Sequence, residues 1–521
     1  MKVITKLKLN NFKRFSEFEV NFSENINLLI GDNEAGKSSI LTAIELVLSG
    51  SKSKIESIGL ENIFNKQVIN EFLASDKKIE DLPVLYAELY LNEQNNPSLN
   101  GKVNTCRVVS DGLSLVCEPN EELTHEISEV LAQDSDNFPF EYYAVRFTTF
   151  AGEGYTGYRK FIKHLSLDNT QINNEYATRE YIKTVYESYV EQAERIKLKN
   201  EYRQQKSAFK NENLKAINDT LSEYQFSIRS GSKSNLETDI NIVEDDVPIE
   251  NKGKGKQCFI KTEFALKPYN EDQKLDVLLL EEPENHLSHS NMKRLINRIS
   301  ESQAKQIFIA THSSLISTRL DLRNSILLNS NSIMPLTMTD LPEDTAKFFM
   351  KAPDNNILEL ILSSKVILVE GDAEYILLDS MYTKATASTL EADDIHVISV
   401  GGTSFKRYLD IAKLLNIRTA VIRDNDGDFQ SNCVDNYVDY NEPNISVFSD
   451  NNNNNKTFEI CLYNDNQATC DALWLADRIT LTVQEFMLKN KADCAFELLD
   501  KKADELVPPN YIEQAFQWIN E

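Results

Sequence analysis

The sequence predicts an α/β protein in two units, the first interrupted by a long helical insertion. Three observations predict it. A strand running into a glycine-bearing loop and then a helix lies within the first fifty residues. A charged stretch without strand pattern occupies roughly 156–228. From 275 to 425, short apolar runs that end in acidic residues recur at strand length.

The chain has 521 residues, 41% of them hydrophobic, enough to bury the cores of two or three domains without disulfides or metals. Its seven cysteines (Cys106, Cys117, Cys258, Cys433, Cys461, Cys470 and Cys494) are scattered, with no CxxC pair and no histidine at zinc spacing. A reducing, cytoplasmic setting is therefore expected. The opening MKVITKLKLNNFKRF reads as an alternating strand rather than a signal peptide, and no stretch approaches the ~20 apolar residues of a membrane span. The formal charge of −26 argues against a protein that coats nucleic acid. Residues 361–521 hold 13 Lys and Arg against 27 Asp and Glu, a net of −14, so over half of the excess lies in the last third. Carboxylates gathered there are hard oxygen ligands suited to divalent metals.

In chain order, strands are expected at Ile4–Leu9 and Ile26–Ile30, a helix from Lys37 to about Leu48, and strands at Leu82–Leu91 and Val103–Val116. Charged, Tyr- and Gln-rich helices should fill about 157–224, either as a packed subdomain or as a dimerisation arm. After a polar, glycine-bearing stretch at 231–256, strands are expected at Cys258–Phe264, Leu275–Leu280 and Gln306–Ala310. A boundary near 352–364 opens the second unit, with strands at Lys365–Val369, His396–Val400 and Thr419–Ile422. The run Asn451–Asn455 reads as a solvated loop. The expected division is 1–155, 156–228, 229–355 and 356–521.

Gly31–Ser38 reads GDNEAGKS, an intact GxxxxGK[ST] placed directly after a strand and before a helix. Gly31, Asn33 and Gly36 let backbone N–H groups close on phosphates. Lys37 reaches the terminal phosphates, and Ser38, followed by Ser39, supplies a magnesium ligand at the helix N-terminus. VLLLEEPENHL (Val277–Leu287) ends an apolar strand in paired acids, Glu281 to hold Mg2+ and Glu282 to polarise the attacking water of ATP hydrolysis. The strand QIFIATHSS brings His312.

The opening NFKRF, the EEPE strand end and THSS together resemble the ABC-type ATPases, in particular their SMC-like and OLD-like (overcoming lysogenization defect) branch, where His312 matches the switch histidine. NKGKGKQ, with Gly253, Gly255 and Gln257, stands where that class carries its signature loop. The resemblance implies that this loop completes the ATP site of a second head, so a homo-oligomer, a dimer or a tetramer, is expected. No glutamine of the class's Q-loop can be placed; Gln67 is a poor match.

VILVEGDAEYILL (Val366–Leu378) ends a strand in Glu370 and Gly371, with Glu374 one helical turn on. TAVIRDNDGD ends another in Asp424, Asp426 and Asp428. In a doubly wound sheet these acids converge on one edge. A calcium loop is discounted because its twelfth position is Asp435 rather than Glu. Glu-Gly after one strand and DxD after the next resemble the Toprim fold of primases, topoisomerases and OLD nucleases, with the turn at Gly401–Gly402 between them. That resemblance implies Glu459 as a further metal-binding acid and Lys491 as a catalytic lysine. It implies one ion on Glu370, Glu374 and Asp424 that orients a hydroxide, and a second near Asp426 and Glu459 at the leaving oxygen. Lys491 would neutralise charge on the scissile phosphate. Mg2+ is the expected ion, with Mn2+ or Ca2+ as alternatives at this site.

The absence of a cysteine pair tells against a primase, and the absence of a tyrosine-bearing domain against a topoisomerase. The expectation is an ATP-binding and ATP-hydrolysing, metal-dependent DNA endonuclease of the OLD family in anti-phage defence. The OLD resemblance also implies a defence-system partner such as a helicase-like protein or a reverse transcriptase with its nucleic acid. The alternative is an ATP-driven DNA clamp or sensor. DNA contact is expected in a local basic groove at Lys254, Lys256 or within Lys197–Lys206.

Overall fold

The computed structural model describes residues 3–133, 137–157, 161–171, 175–231, 234–266, 275–302, 305–329, 334–352, 357–402, 404–477 and 480–521. The chain divides into two compact units, one formed by Met1–His312 with Asn324–Pro335, the other by Ser313–Arg323 with Leu336–Glu521. Packing thus places 313–323 and 336–352 with the C-terminal unit, whereas the sequence expectation kept them in the first.

Among the described residues the N-terminal unit holds a two-stranded sheet, Val243–Glu244 with Val247–Pro248, and two large ones. The antiparallel one comprises β1 (Ile4–Phe12), β2 (Phe15–Asn21), β4 (Leu85–Leu91), β5 (Ser110–Pro119) and β6 (Tyr143–Thr149), in the order β2-β1-β4-β5-β6. The parallel sheet comprises β3 (Ile26–Gly31), β7 (His164–Asp168), β8 (Val277–Glu281), β9 (Gln306–Ala310) and β10 (Ser325–Leu328), in the order β10-β3-β9-β8-β7. Helix α1 (Lys37–Ser49) is apolar on its buried side through Ile40, Leu41, Ile44, Val47 and Leu48, and it shares one core with both sheets. The two sheets are also stitched by one fully buried side chain. The Gln306 amide donates to the carbonyls of Ile4 (2.8 Å) and Ser23 (2.9 Å) and accepts from the N–H groups of Val3 (3.2 Å) and Ile4 (2.7 Å).

Several elements differ from the sequence expectation. The strand β2 folds back on β1 as a hairpin that the expectation lacked. Residues 102–109 are loop rather than strand, held by the buried Glu88, which accepts from Thr105 N (2.8 Å) and Oγ1 (2.8 Å). The helical insertion begins later than residue 156, because HLSLD pairs in parallel with β8 as β7. Its helices α2 (Glu175–Tyr189) and α3 (Gln192–Asn213) follow. No residue of α3 is buried. The segment Cys258–Phe264, expected as a strand, lies inside helix α4 (Lys254–Leu266). Six consecutive residues there, Gln257–Thr262, are buried, so the helix is enclosed on most sides and shows no period that separates it from a strand. Contacts with α2 enclose it: Tyr181 donates to the Lys261 carbonyl (2.8 Å), and Lys261 Nζ to Thr178 (3.0 Å).

The C-terminal unit is a four-stranded parallel sheet ordered β12-β11-β13-β14, from β11 (Lys365–Val369), β12 (Ile395–Ser399), β13 (Arg418–Ile422) and β14 (Ile445–Phe448). Helices α5 (Asp372–Thr386), α6 (Phe458–Asp465), α7 (Lys491–Lys502) and α8 (Asn510–Asn520) contribute to its core through Leu377, Met381, Phe458, Leu498 and Phe516. All seven cysteines are free. Among the described residues, no helix is long and apolar enough to cross a membrane.

Candidate functional site

In the N-terminal unit, the strands β3, β7, β8 and β9 run in parallel, so their carboxyl ends deliver Gly31, Asp168, Glu281 and the Thr311–His312 pair to one edge. A cavity of about 480 Å3 lies there, and its walls include Asn33, Gly36, Lys37, Ser38 and Ser39 with Glu281, Glu282 and His312. Gly36 begins α1 at φ 99°, and a Cβ there would sit 2.5 Å from the Phe15 ring, so both conformation and space require glycine. Lys37 Nζ donates to the carbonyls of Gly31 (2.6 Å) and Asp32 (2.9 Å). Its burial lowers the ammonium pKa, against the opposing pull of Glu282, Asp32 and Glu281. The Glu281 carboxyl is raised by burial and bonded to Ser38, which joins the two expected magnesium ligands.

Glu282 is held at φ 47°, with its N–H on the Ala310 carbonyl (2.9 Å). Burial, with help from neighbouring Glu284, pushes its carboxyl up to about 7. Its Oε1 faces His312 Nε2 at 3.4 Å, and burial lowers the His312 pKa. Glu284 Oε1 accepts from the Thr311 hydroxyl (2.5 Å) and from His312 N–H (2.9 Å), fixing the strand end that carries the histidine. Replacing Glu284 by Ala is expected to lower kcat for ATP about tenfold with the ATP Kd changed by less than about threefold, as read by steady-state hydrolysis and nucleotide titration.

Four cavity residues went unassigned in the sequence, Arg14, Glu34, Thr170 and Asn285. Arg14, from NFKRF, donates to the carbonyls of Glu34 (2.6 Å) and Asn329 (3.1 Å) and lines the cavity. Thr170, one residue beyond Asn169 at the end of β7, also lines it. Gly253, Gly255 and Gln257 are not brought to this cavity. A Cβ on Gly255 would lie 2.1 Å from the His286 carbonyl, and Gln257 donates to the carbonyls of its own loop at Glu250 (3.2 Å) and Lys252 (2.8 Å). Gln67 bonds to Glu71 on a separate helix.

In the C-terminal unit, parallel strands deliver a second set. Glu370 follows β11, Glu374 lies on the first turn of α5, Asp424 follows β13 and Glu459 lies on the first turn of α6. Glu374, Asp424 and Glu459 are 6%, 7% and 3% exposed. They feel one another: burial, then Glu374, Glu370 and Glu459, push Asp424 up to about 8, and burial with Glu459 and Glu370 pushes Glu374 up to about 7. Glu370 is also raised by burial, and its Oε2 is buried without a hydrogen-bond partner. Lys491 Nζ stands 3.0 Å from Glu459 Oε2. Burial would lower this ammonium, but Glu459, Asp424 and Glu374 outweigh it and its pKa is raised. An all-carboxylate set with an orphaned buried oxygen suits a hard divalent cation. Among the described residues, no group of three or more His, Cys, Asp or Glu side chains is already placed as holding a metal ion would need.

Asp426 departs from the expected arrangement. Its side chain is 52% exposed and pairs with Arg423 Nη2 at 3.2 Å rather than joining the buried acids. Asp428 accepts from Ser431 N–H (3.1 Å), a turn-capping role. The asparagine run is more than a solvated loop. Asn425, 1% exposed, donates its amide to the carbonyls of Asp450 (2.7 Å), Asn452 (3.1 Å) and Asn455 (3.1 Å), while Asp426 N–H bonds the Lys456 carbonyl (3.1 Å). At the third strand end, Gly402 holds φ 123° and gives its N–H to the Glu370 carbonyl (3.0 Å). Three of the basic residues expected at DNA are ion-paired: Lys256 with Glu244, Lys199 with Glu237 and Lys206 with Asp239.

A phosphate-gripping loop facing paired carboxylates and a histidine across parallel strand ends defines a P-loop ATPase head, here in one chain with an acid-edged α/β unit. A family model described as AAA ATPase domain matches residues 1–316, and one described as overcoming lysogenization defect protein-like, TOPRIM domain matches 361–426. The chain belongs to the AAA ATPase domain family and is an OLD-family fusion of that ATPase to a Toprim domain. A 140-residue stretch is 26% identical to the DNA repair protein RecN of Synechocystis sp., covering 25% of this chain and 23% of that protein. The chain therefore spans under a quarter of this curated relative. The SMC head domain from Thermotoga maritima is similar at 15% identity over 63% of this chain and 94% of its own, with a TM-score of 0.29. The C-terminal region of the Burkholderia pseudomallei OLD protein is similar at 21% identity over 30% of this chain and 97% of its own, with a TM-score of 0.21.

Proposed function

We propose that this protein is an ATP-binding and ATP-hydrolysing, divalent-metal-dependent DNA endonuclease, nicking or cutting both strands, that acts in anti-phage defence. The observation that carries the reading is the buried set of Glu370, Glu374, Asp424 and Glu459 beside Lys491 at one sheet edge, in the chain that also bears the ATPase cavity. A bound Mg2+ or Mn2+ would supply Lewis-acid activation of water and of the scissile phosphate. Glu370, Glu374 and Asp424 would hold it, with Glu459 beside them. Glu374 and Asp424, at about 7 and about 8, release protons as they take up that charge. Lys491, tethered by Glu459 and half exposed, is placed to steady the phosphate's developing negative charge.

In the ATPase cavity Lys37 would grip the phosphates, Ser38 and Glu281 would hold Mg2+, Glu282 would take the proton of the attacking water and His312 would sense the terminal phosphate. Gly253, Gly255 and Gln257 lie outside their own chain's cavity, and the signature-loop resemblance assigns them to the cavity of a second copy, so a homo-oligomer is the proposed working form. The relatives include a DNA repair protein, which favours DNA as substrate. A helicase-like protein or a reverse transcriptase with its nucleic acid is the proposed class of partner.

The test is cleavage of supercoiled plasmid with Mg2+ or Mn2+, with and without ATP, by wild type, Glu370→Ala and Lys37→Ala. Wild type is expected to cut and Glu370→Ala to leave the plasmid intact. The Lys37→Ala lanes separate ATP that drives cleavage from ATP that restrains it. ATP hydrolysis without any cleavage by wild type would favour a DNA clamp or sensor.

A further inference from the structure

The turn that carries Asp424 and Asp426 is built around one buried cation. Arg423 is 4% exposed and its guanidinium is held on every side. Nε donates to the Asp424 carbonyl (2.9 Å), Nη2 to Asp426 Oδ2 (3.2 Å), and Nη1 to the Asn432 carbonyl (3.1 Å) and the Tyr437 hydroxyl (3.2 Å). The guanidinium carbon also lies 5.7 Å from the Tyr437 ring centroid. Asp426 itself sits at φ 50°, a conformation that costs an aspartate free energy unless its surroundings fix it.

We infer that Arg423 is a positioning residue of the phosphodiester-cleaving site: by gripping the Asp424 carbonyl and drawing the Asp426 carboxylate aside, it fixes the turn so that the Asp424 carboxylate stays among the buried acids with Glu370 and Glu374. The inference rests on the nuclease reading above and adds a residue to it. The chemistry demands arginine. One planar fork reaches the backbone of one aspartate, the carboxylate of the other and the two groups behind them at once, whereas a lysine ammonium, a single point charge on a flexible stem, reaches one of these sites at a time. The cation also offsets the crowd of carboxylates, which is why it tolerates burial here. Tyr437 acts one step further back, as its hydroxyl accepts from Nη1 and its ring lies against the guanidinium, fixing where the fork sits.

The experiment is Mn2+ binding to the full-length protein, followed by electron paramagnetic resonance of the free ion, with plasmid cleavage and thermal unfolding in parallel. The variants are Arg423→Lys, Tyr437→Phe and Glu374→Gln. Arg423→Lys is expected to weaken Mn2+ binding at the C-terminal site at least about tenfold and to lower kcat with little change in KM for DNA. Tyr437→Phe, which keeps charge, ring and volume, is expected to weaken Mn2+ a few-fold with an unchanged melting temperature. Mn2+ affinity within about twofold of wild type in a folded Arg423→Lys protein overturns the inference. If Arg423→Lys fails to fold, unaltered Mn2+ affinity in Tyr437→Phe overturns it instead. A wild type whose Mn2+ binding is indifferent to Glu374→Gln overturns the metal reading itself, and the inference with it. Running these titrations without nucleotide and with Glu281→Gln as background removes the ATPase-site ion from the signal.

Discussion

An Asp424→Asn protein is expected to lose divalent-dependent DNA cleavage by about a thousandfold or more and yet to be the more thermostable protein in EDTA at pH 8. Both effects come from one cause. Asp424 is raised to about 8 because burial and then Glu374, Glu370 and Glu459 oppose its charge. An acid whose pKa is higher in the folded than in the unfolded chain binds its proton more tightly when folded. Its stabilising contribution is complete below the unfolded value near 4 and is lost as pH rises towards about 8. The melting temperature of the metal-free wild type should therefore fall across that window and level off above it. Asn at 424 should flatten the fall and add roughly 3–8 °C at pH 8. Mn2+ should restore stability to wild type but not to the variant. Scanning calorimetry in EDTA and in Mn2+ from pH 5 to 9 checks all three. A variant that melts lower than wild type in EDTA would show that Asp424 serves the fold through its bond from Phe458 N–H (2.7 Å) rather than the chemistry.

The second large effect concerns ATP. Glu282→Gln is expected to bind ATP as wild type does and to hydrolyse it 10²–10⁴ times more slowly, the usual contribution of a positioned general base. The carboxyl sits at about 7, raised by burial and by Glu284, and a base must be ionised to act. For wild type, kcat/KM should rise nearly tenfold per pH unit below about 7 and reach a plateau above it. The variant's residual rate should lack that limb. A wild-type profile flat from pH 6 to 8 would remove Glu282 from the role.

What the sequence made legible follows the range of the interactions involved. Lys37, Ser38, Glu281, Glu282 and His312 were readable because backbone geometry ties each motif to a strand end, and parallel strands in one sheet must end together. Glu370, Glu374 and Asp424 were readable for the same reason. The outward path of the Asp426 side chain was not legible because spacing along a turn does not reveal which way a side chain leaves it. Its direction is set by Arg423, whose contacts at 432 and 437 are not marked by any local pattern. The helix 254–266 defeated periodicity because it is enclosed, and β7 because five residues of strand open a long helical stretch and their partner lies 113 positions further on, His164 opposite Val277. The paired lysines of the insertion illustrate another blind spot, since charge along a sequence says nothing about the acid that folds against it.

Gln306 gives the N-terminal unit a property that neither of its large sheets would have alone. With four hydrogen bonds from one buried amide to the chain's first strand and the turn after its second, the antiparallel layer cannot detach without leaving buried polar groups on both sides unsatisfied. The two layers should therefore melt as a single cooperative block. In amide hydrogen exchange the N–H groups of β1 and β9 would open at a common rate, while those of α3, which buries no residue, exchange early and independently.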